Sequence, residues 1–577
     1  MSVPLSFQDL TVSVNFPARI TADEIAPGKT RLHFSWDGQP EGNPAAEIRW
    51  SMPLNDIQYE WYPNCSMNRS LHVDFYMPEK SRISSSAPVF CFYNTAGRNR
   101  FTMALSDVLT EIDMNLGVHE ENGELLCKVV IPLDATGLTQ EYEVILYRDY
   151  DDISFAEALR RVSLWWESDV GLTPMPVPEA ARKPLYSAWY SFHQSTIAEE
   201  IEAECARAVK LGLETIIVDD GWQTSDGNRG YAYCGDWQPT PVKIPDMRAH
   251  VANVHALGIK YMLWYSVPFV GKWSEHWNEF KDMLLTCRER LHAGVLDPRY
   301  PAVRDYLIGT YVRALKDWDL DGFKLDFIDS FIPSTQAPMP TPEMDFVKVE
   351  DAVVRLMTDV MNALRAIKPD ILIEFRQSYI GPAMRTYGNM FRVGDCPADP
   401  LSNRVGMVDL RLLSGSTAVH SDMLMWHRDD AVENAARQLL SVLFAVPQIS
   451  VRLDRIPQDH LDMLTFWIGF INRHRALLAA PIEVESPQNL YPLVRARLGE
   501  EEAVAVYDRH IASLSDAPVT YLFNASAEPY VIIRQEAPRP LTARVFNCLG
   551  QPAGEITLPA ERLTELPIPV SGFAVIG

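Results

Sequence analysis

Two short apolar runs end in acid, Glu214-Thr-Ile-Ile-Val-Asp-Asp-Gly-Trp222 and Asp321-Gly-Phe-Lys-Leu-Asp-Phe327, in a region where strand-like and helix-like segments alternate. That alternation restricts the choice of fold sharply, because a parallel strand must be followed by a crossover, usually a helix, before the next strand can pair. Strand candidates fall near 185–190, 214–219, 259–265, 321–326, 371–375, 391–394, 417–420 and 446–451. Eight of them predict a closed (β/α)8 TIM barrel, an α/β fold of about 250 residues whose strand C-termini open into a mouth. Helix signals lie between most of them. Thr196-Ile-Ala-Glu199 has the form of a capping box, and Ile197, Ile201, Cys205 and Val209 recur on one face behind it. A second helix is expected from Tyr300 to Trp318, with Pro301 at its start, where a missing N–H does no harm.

The rest of the chain reads with period two. Leu10–Phe16, Leu71–Phe75, Lys128–Ile131 and Tyr142–Tyr147 alternate between turn residues and predict an N-terminal β-sandwich over 1–165. A helix near 155–166 leads into 166–184, where closely spaced prolines predict a stiff linker. The barrel is assigned to 185–478. Beyond it, Ala503–Tyr507, Val519–Phe523 and Tyr530–Ile533 predict a smaller C-terminal antiparallel β-domain over 479–577.

A formal charge of -24 disfavours nucleic acid and anionic membrane as partners, since either would be repelled. No stretch of eighteen uninterrupted apolar residues marks a membrane span. Eight scattered cysteines form no CxxC pair and no His cluster accompanies them, so neither a zinc site nor a disulfide framework is indicated. The N-terminal residues carry no basic and apolar leader pattern, and a cytoplasmic location is expected. No cofactor is expected, and homo-oligomeric assembly stays open.

Chemistry is sought at the strand ends. Lys324 and Asp326 share one side of their strand by alternation, and a neighbouring ammonium keeps a carboxylate ionised. Asp395 closes Met390-Phe-Arg-Val-Gly-Asp-Cys-Pro397 two strands later, three residues after Arg392. Acids on the fourth and sixth strands face one another across a barrel mouth, the arrangement that retaining glycoside hydrolysis uses. Asp219 and Asp220 lie at a turn before Gly221 and suit two neighbouring sugar hydroxyls. Trp189, Trp222, Trp237 and Trp264 fall at strand ends or in the loops after them, where indole faces stack on sugar C–H surfaces. A metal site drawing on His193, Asp219 and His420 is the competing reading, and it lacks the clustered ligand spacing that metals need.

Taken in order, Trp189-Tyr190, Asp219-Asp-Gly-Trp222, Gly235-Asp-Trp237, Leu263-Trp264, Lys324-Leu-Asp-Phe327 and Arg392-Val-Gly-Asp395 resemble the melibiase-type α-galactosidases of glycoside hydrolase family 36. The likeness runs from about 184 to 475. It implies a retaining, exo-acting hydrolysis of terminal α-galactosides in oligosaccharides, through a covalent glycosyl-aspartate and without metal. Asp326 matches the nucleophile and Asp395 the acid/base. Asp219 and Asp220 match the pair holding the galactose O4 and O6. Lys324 and Arg392 match basic residues around the pocket, and Trp189 and Trp264 match its aromatic walls. The family's N-terminal sandwich can lend a tryptophan to the pocket, and Trp61 is the candidate for that part.

The chain also departs from the family. Where Glu-x-Cys and a glycine-rich turn are usual, it carries Glu374-Phe-Arg-Gln-Ser-Tyr-Ile-Gly381, which puts Arg376 in the cysteine's place. A guanidinium there implies either a differently filled pocket or a different substituent on the sugar, such as a 2-substituted or anionic one. His420–His427, at the seventh strand, is a further candidate pocket wall. A sugar-binding protein without catalysis is the third reading.

Overall fold

The period-two segments of the first 150 residues pair into two six-stranded antiparallel sheets that face one another. Along Lys29–Ser35 the buried residues are Thr30, Leu32 and Phe34, and along Glu124–Pro132 they are Leu125, Cys127, Val129 and Ile131. These faces meet in a core that also takes Trp50, Phe92 and Phe101, as expected when each sheet has one apolar side. The structure, a computed structural model, describes residues 4–38, 40–133, 141–332 and 338–577. None of its helices is long and apolar enough to cross a membrane.

A helix at Phe155–Ser168 leaves the sandwich and packs Leu159, Val162, Trp165 and Trp166 inward. The proline-rich segment after it is not a free spacer. Met175 is buried with its N–H bonded to the Arg385 carbonyl, and Val177, Ala180 and Ala181 seal the base of the barrel. Proline fixes φ and lets the segment lie extended there without leaving N–H donors unpaired.

The predicted eight-stranded parallel barrel is present and closed. Its strands are β1 (Leu185–Ser187), β2 (Thr215–Val218), β3 (Lys260–Ser266), β4 (Gly322–Asp326), β5 (Leu372–Arg376), β6 (Met390–Arg392), β7 (Ala418–Leu424) and β8 (Val446–Ile449). The base layer is Leu185, Ile217, Met262, Leu372, Met390 and Ala418, all apolar. Two residues further along these strands, on the same inward side, stand Asp219, Trp264, Glu374, Arg392 and His420. Lys324 and Asp326 follow Gly322 on β4 with the same parity. The barrel interior thus turns from apolar at its base to charged at its mouth. Gly322 has no room for a Cβ, which would lie 2.3 Å from the Leu372 carbonyl oxygen.

The helix expected behind Thr196 runs from Ala198 to Ala208 and buries Ile201 and Cys205, yet the capping box does not form. Its N-cap is Ile197, and the Thr196 hydroxyl is buried without a hydrogen-bond partner. The helix at Pro301–Trp318 starts at its proline, with Tyr300 as N-cap. Most strand pairs of the C-terminal sheets are antiparallel, and two are parallel. Glu501–Val506 pairs parallel with Val519–Asn524, and Ile511–Leu514 pairs parallel with Tyr530–Gln535. Period two is common to both kinds of pairing and does not distinguish them.

Candidate active site

The site is built from the upper inward positions of β2 to β7 and the turns after them. At the end of β4, Asp326 is 5% exposed and both of its oxygens are held. Oδ1 accepts from Arg376 Nε at 2.7 Å, from the Phe327 N–H at 2.8 Å and from the Tyr379 hydroxyl at 3.0 Å. Among the described residues, Oδ2 accepts from Trp264 Nε1 alone, at 3.1 Å. Burial pushes the Asp326 carboxyl up, but Arg376, Lys324 and Arg392 outweigh it and hold the group well below the usual carboxylate range. It is an ionised carboxylate.

Lys324 and Asp326 do share one side of β4. The ammonium, however, bonds to Asp219 Oδ2 at 2.6 Å, and it acts on Asp326 through space. Asp219 also accepts the Asp220 N–H on Oδ1 at 2.9 Å. The turn expected at Gly221 is real. Its φ is +112°, and a Cβ would lie 2.5 Å from the Gln194 Cα, so a side chain is excluded twice over. Asp220 is turned into the protein, where Gln223 Nε2 donates to one oxygen at 2.7 Å and Gln194 Nε2 to the other at 3.0 Å. Its carboxyl is raised, chiefly by burial.

Asp395, beyond the end of β6, has a different setting. Its side chain is 58% exposed and hangs from Arg392 Nη2 at 2.9 Å. Burial acts upward on its carboxyl, Arg392 and then Lys324 act downward and prevail, and the charge of Asp326 works against them. Asp326 and Asp395 therefore feel one another's charge across the mouth. Asp395 lines a cavity of about 360 Å³ with Asn64, Met67, Gln377, Gly394 and Asp409. Asn64 and Met67 belong to the sandwich, so this domain supplies part of the wall. Asp326 lies off that wall, with 8% of its side chain accessible.

Several candidates stand elsewhere than the sequence placed them. Trp61 is fully buried and donates from Nε1 to Asp409 Oδ1 at 2.9 Å, beneath the cavity wall. Trp222 is likewise fully buried, stacked against Trp237 and donating to the Trp264 carbonyl at 3.0 Å. It supports Trp264 from below and offers no face to a ligand. Trp264, 2% exposed, meets the site through its N–H, while Trp189, in the turn after β1, is only partly buried. Arg392 is 1% exposed and serves three carboxylates: Asp422 through Nη1, Asp395 through Nη2 and Glu374 at 3.7 Å from Nε. Its place is behind the acids. His420 bonds the Ala181 carbonyl at 2.8 Å from Nε2, at the base plug, which removes it from any ligand set with His193 and Asp219.

Glu374 and Gln448 had no role assigned from sequence, and Asp422 had one only as part of the His420–His427 wall. Gln448 bonds Glu374, and Asp422 accepts from the Tyr190 hydroxyl at 3.0 Å and the Cys396 N–H at 2.6 Å. The parity of β5 and β7 was the available signal, since Glu374 lies two residues from both Leu372 and Arg376, and Asp422 two from His420.

A family model described as Melibiase matches residues 179–385, which contain β1 to β5 with Asp219, Lys324, Asp326 and Arg376. This stretch is similar to the melibiase family. Among curated relatives, the α-galactosidase Mel36A of Lactobacillus acidophilus is 27% identical over 202 residues, which are 33% of this chain and 27% of the relative. An α-galactosidase of Escherichia coli is 26% identical over 156 residues, 26% of this chain and 22% of that one. The alignments thus span about a quarter of the relatives' own length. The fold likeness extends much further. The α-galactosidase AgaA of Geobacillus stearothermophilus superposes with a TM-score of 0.62 at 15% identity, covering 98% of this chain and 81% of that one. An α-galactosidase of Thermus thermophilus gives 0.54 at 15% identity, covering 81% and 98%. Melibiase-type barrels of this shape, with a sandwich before and a sheet domain after, are what the chain is similar to.

Proposed function

We propose that the protein is a retaining exo-α-glycosidase that hydrolyses terminal α-galactosides of oligosaccharides. The observation that carries this reading is the pairing of an ionised, donor-held Asp326 on β4 with an accessible Asp395 beyond β6 in a melibiase-family barrel. Asp326 attacks the anomeric carbon while Asp395 protonates the departing oxygen, and Asp395 then takes the proton of the water that releases the sugar. A variant of AgaA has been crystallised with raffinose and the Thermus thermophilus enzyme with stachyose. Oligosaccharides of that kind are the substrate class proposed here, with the aglycone seated in the cavity beside Asp395.

Most of the Arg376 guanidinium is already engaged, which weighs against an anionic sugar and leaves only Nη2 to meet one. Its Nε is paired with Asp326, and Nη1 bonds the Gln377 carbonyl at 2.8 Å and faces Asp329 at 3.9 Å. A panel of p-nitrophenyl α-glycosides, including uronides and 2-substituted sugars, tests the assignment. Release from the α-galactoside, its loss in Asp326→Ala, and its partial return in Asp395→Ala on adding azide are expected. Full turnover by Asp326→Ala, or no release from any glycoside, refutes it.

A further inference from the structure

The two oxygens of Asp326 are not equivalent. Oδ1 is held by three donors on different pieces of backbone: Arg376 from β5, the Phe327 amide from its own turn, and Tyr379 from the loop after β5. Among the described residues, Oδ2 has one hydrogen bond, from an indole N–H at 3.1 Å. The Arg376 guanidinium is itself fixed, lying over the rings of Phe327 and Tyr379 at 5.1 and 5.5 Å and tied to the Gln377 carbonyl. No hydrogen bond occupies its Nη2 among the described residues, so the group is oriented through Nε and Nη1 alone. Of the carboxylate's two oxygens, only Oδ2 has lone pairs free to meet an anomeric carbon.

Resting on the retaining reading above, we propose that Arg376 is a positioning residue that makes Oδ2 the attacking atom and speeds breakdown of the glycosyl-enzyme ester. In the first half-reaction Oδ2 bonds to C1 as the glycosidic C1–O bond breaks, and the leaving oxygen keeps the electron pair and takes the Asp395 proton. Oδ1 is then a neutral ester carbonyl, and the ion pair with Arg376 is lost. In the second half-reaction a water oxygen bonds to C1, its proton passes to Asp395, and the C1–Oδ2 pair returns to the carboxylate. Negative charge grows on the carboxylate, against a guanidinium already in place, so the contact strengthens toward this second transition state. Before the first step the same contact is strongest in the ground state and holds the nucleophile back. Ester formation is therefore the slow step in this chain and ester breakdown the fast one.

The test is pre-steady-state release of p-nitrophenol from the α-galactoside, with the lifetime of the ester trapped by a 2-deoxy-2-fluoro-α-galactosyl fluoride. The native enzyme shows no burst. Arg376→Gln gives a burst approaching one equivalent, a KM that falls together with kcat, and an ester that persists about 10–100 times longer, the loss expected for one charged hydrogen bond. Arg376→Lys restores part of the rate, and Tyr379→Phe lengthens the lifetime by a smaller factor. A pocket merely distorted by the substitution lowers kcat without a burst. A burst in the native enzyme, or an Arg376→Gln ester that breaks down at the native rate, overturns the proposal while leaving the retaining mechanism standing. Should proton NMR of the native reaction show β-galactose as the first-formed product, the retaining reading itself fails.

Discussion

Removing the Asp409 carboxylate should unfasten the whole molecule, because one buried side chain there joins three parts of the chain. Asp409 lies on the barrel helix Pro400–Leu413 and accepts from Trp61 Nε1 at 2.9 Å and Arg69 Nη2 at 3.2 Å, both from the sandwich. It also accepts from the Tyr491 hydroxyl at 2.6 Å, which belongs to the segment after the barrel. Asp409 is 7% exposed and Arg69 3%. In Asp409→Ala the guanidinium stays buried with its counter-charge gone, which costs about 3–5 kcal/mol. At roughly 2–4 °C per kcal/mol for a cooperative unit of 150–250 residues, the melting temperature should fall by about 6–20 °C. Differential scanning calorimetry of Asp409→Ala, Arg69→Met and the double variant checks this. The double variant should be clearly less damaged than the sum of the two singles, since removing both charges leaves neither of them buried alone. A single-variant shift within about 2 °C, or strict additivity, refutes the argument.

Lys324→Met leaves Asp219 buried without the ammonium at 2.6 Å, and a loss of about 3–5 kcal/mol in denaturation together with a large fall in kcat/KM is expected. Thr196→Val should raise stability by about 1 kcal/mol, because the hydroxyl is buried without a partner; a functioning capping box would instead make the change destabilising by a similar amount. Glu60, 1% exposed and in contact with His72, is raised by burial from 4.5 to about 8. A carboxyl raised on folding lends stability that is full below about 4.5 and lost as pH rises through about 8. Melting temperatures followed from pH 5 to 9 should therefore fall less in Glu60→Gln than in the native protein, and parallel curves would count against this.

All eight barrel strands were legible because their apolar cores are bounded by turns and spaced by crossovers. What failed was local. The first strand was expected over 185–190, but β1 ends at Ser187 and Trp189–Phe192 form a helical turn. Apolar content is the same in both states, so periodicity had nothing to read over four residues. Among the candidate site residues, position in sequence gave the strand end and the inward face, which is why Asp326, Lys324 and Asp219 lie together. It did not give the partner. Lys324 answers to Asp219 across the barrel, and Asp326 takes its nearest charge from Arg376 on the neighbouring strand. Such choices are set by the register between strands, which no single segment contains. Trp61 and Trp222 fail for another reason. A tryptophan has an apolar body and one N–H, and either a sugar or a core satisfies it; here an Asp409 carboxylate and a Trp264 carbonyl take the two N–H groups.

The two carboxylates proposed for the chemistry have the same intrinsic acidity, and their surroundings alone divide the work. Asp326 is locked by four donors and three nearby cations, so binding a sugar changes little about its charge. Among the described residues, Asp395 is held by Arg392 alone, a guanidinium shared with Glu374 and Asp422, and most of its side chain faces the cavity. Covering it with a leaving group strengthens the larger of the two influences that raise its pKa, loss of water, which then acts together with the charge of Asp326 against Arg392 and Lys324. In the proposed mechanism, ester formation removes the negative charge of Asp326 and leaves Arg376 without its partner. Both changes make the mouth more positive, and they lower Asp395 again at the step where it must accept a proton from water. On the proposed mechanism, an exposed acid on a shared arginine, opposite a buried acid held chiefly by Arg376, alternates a proton without a third titrating group.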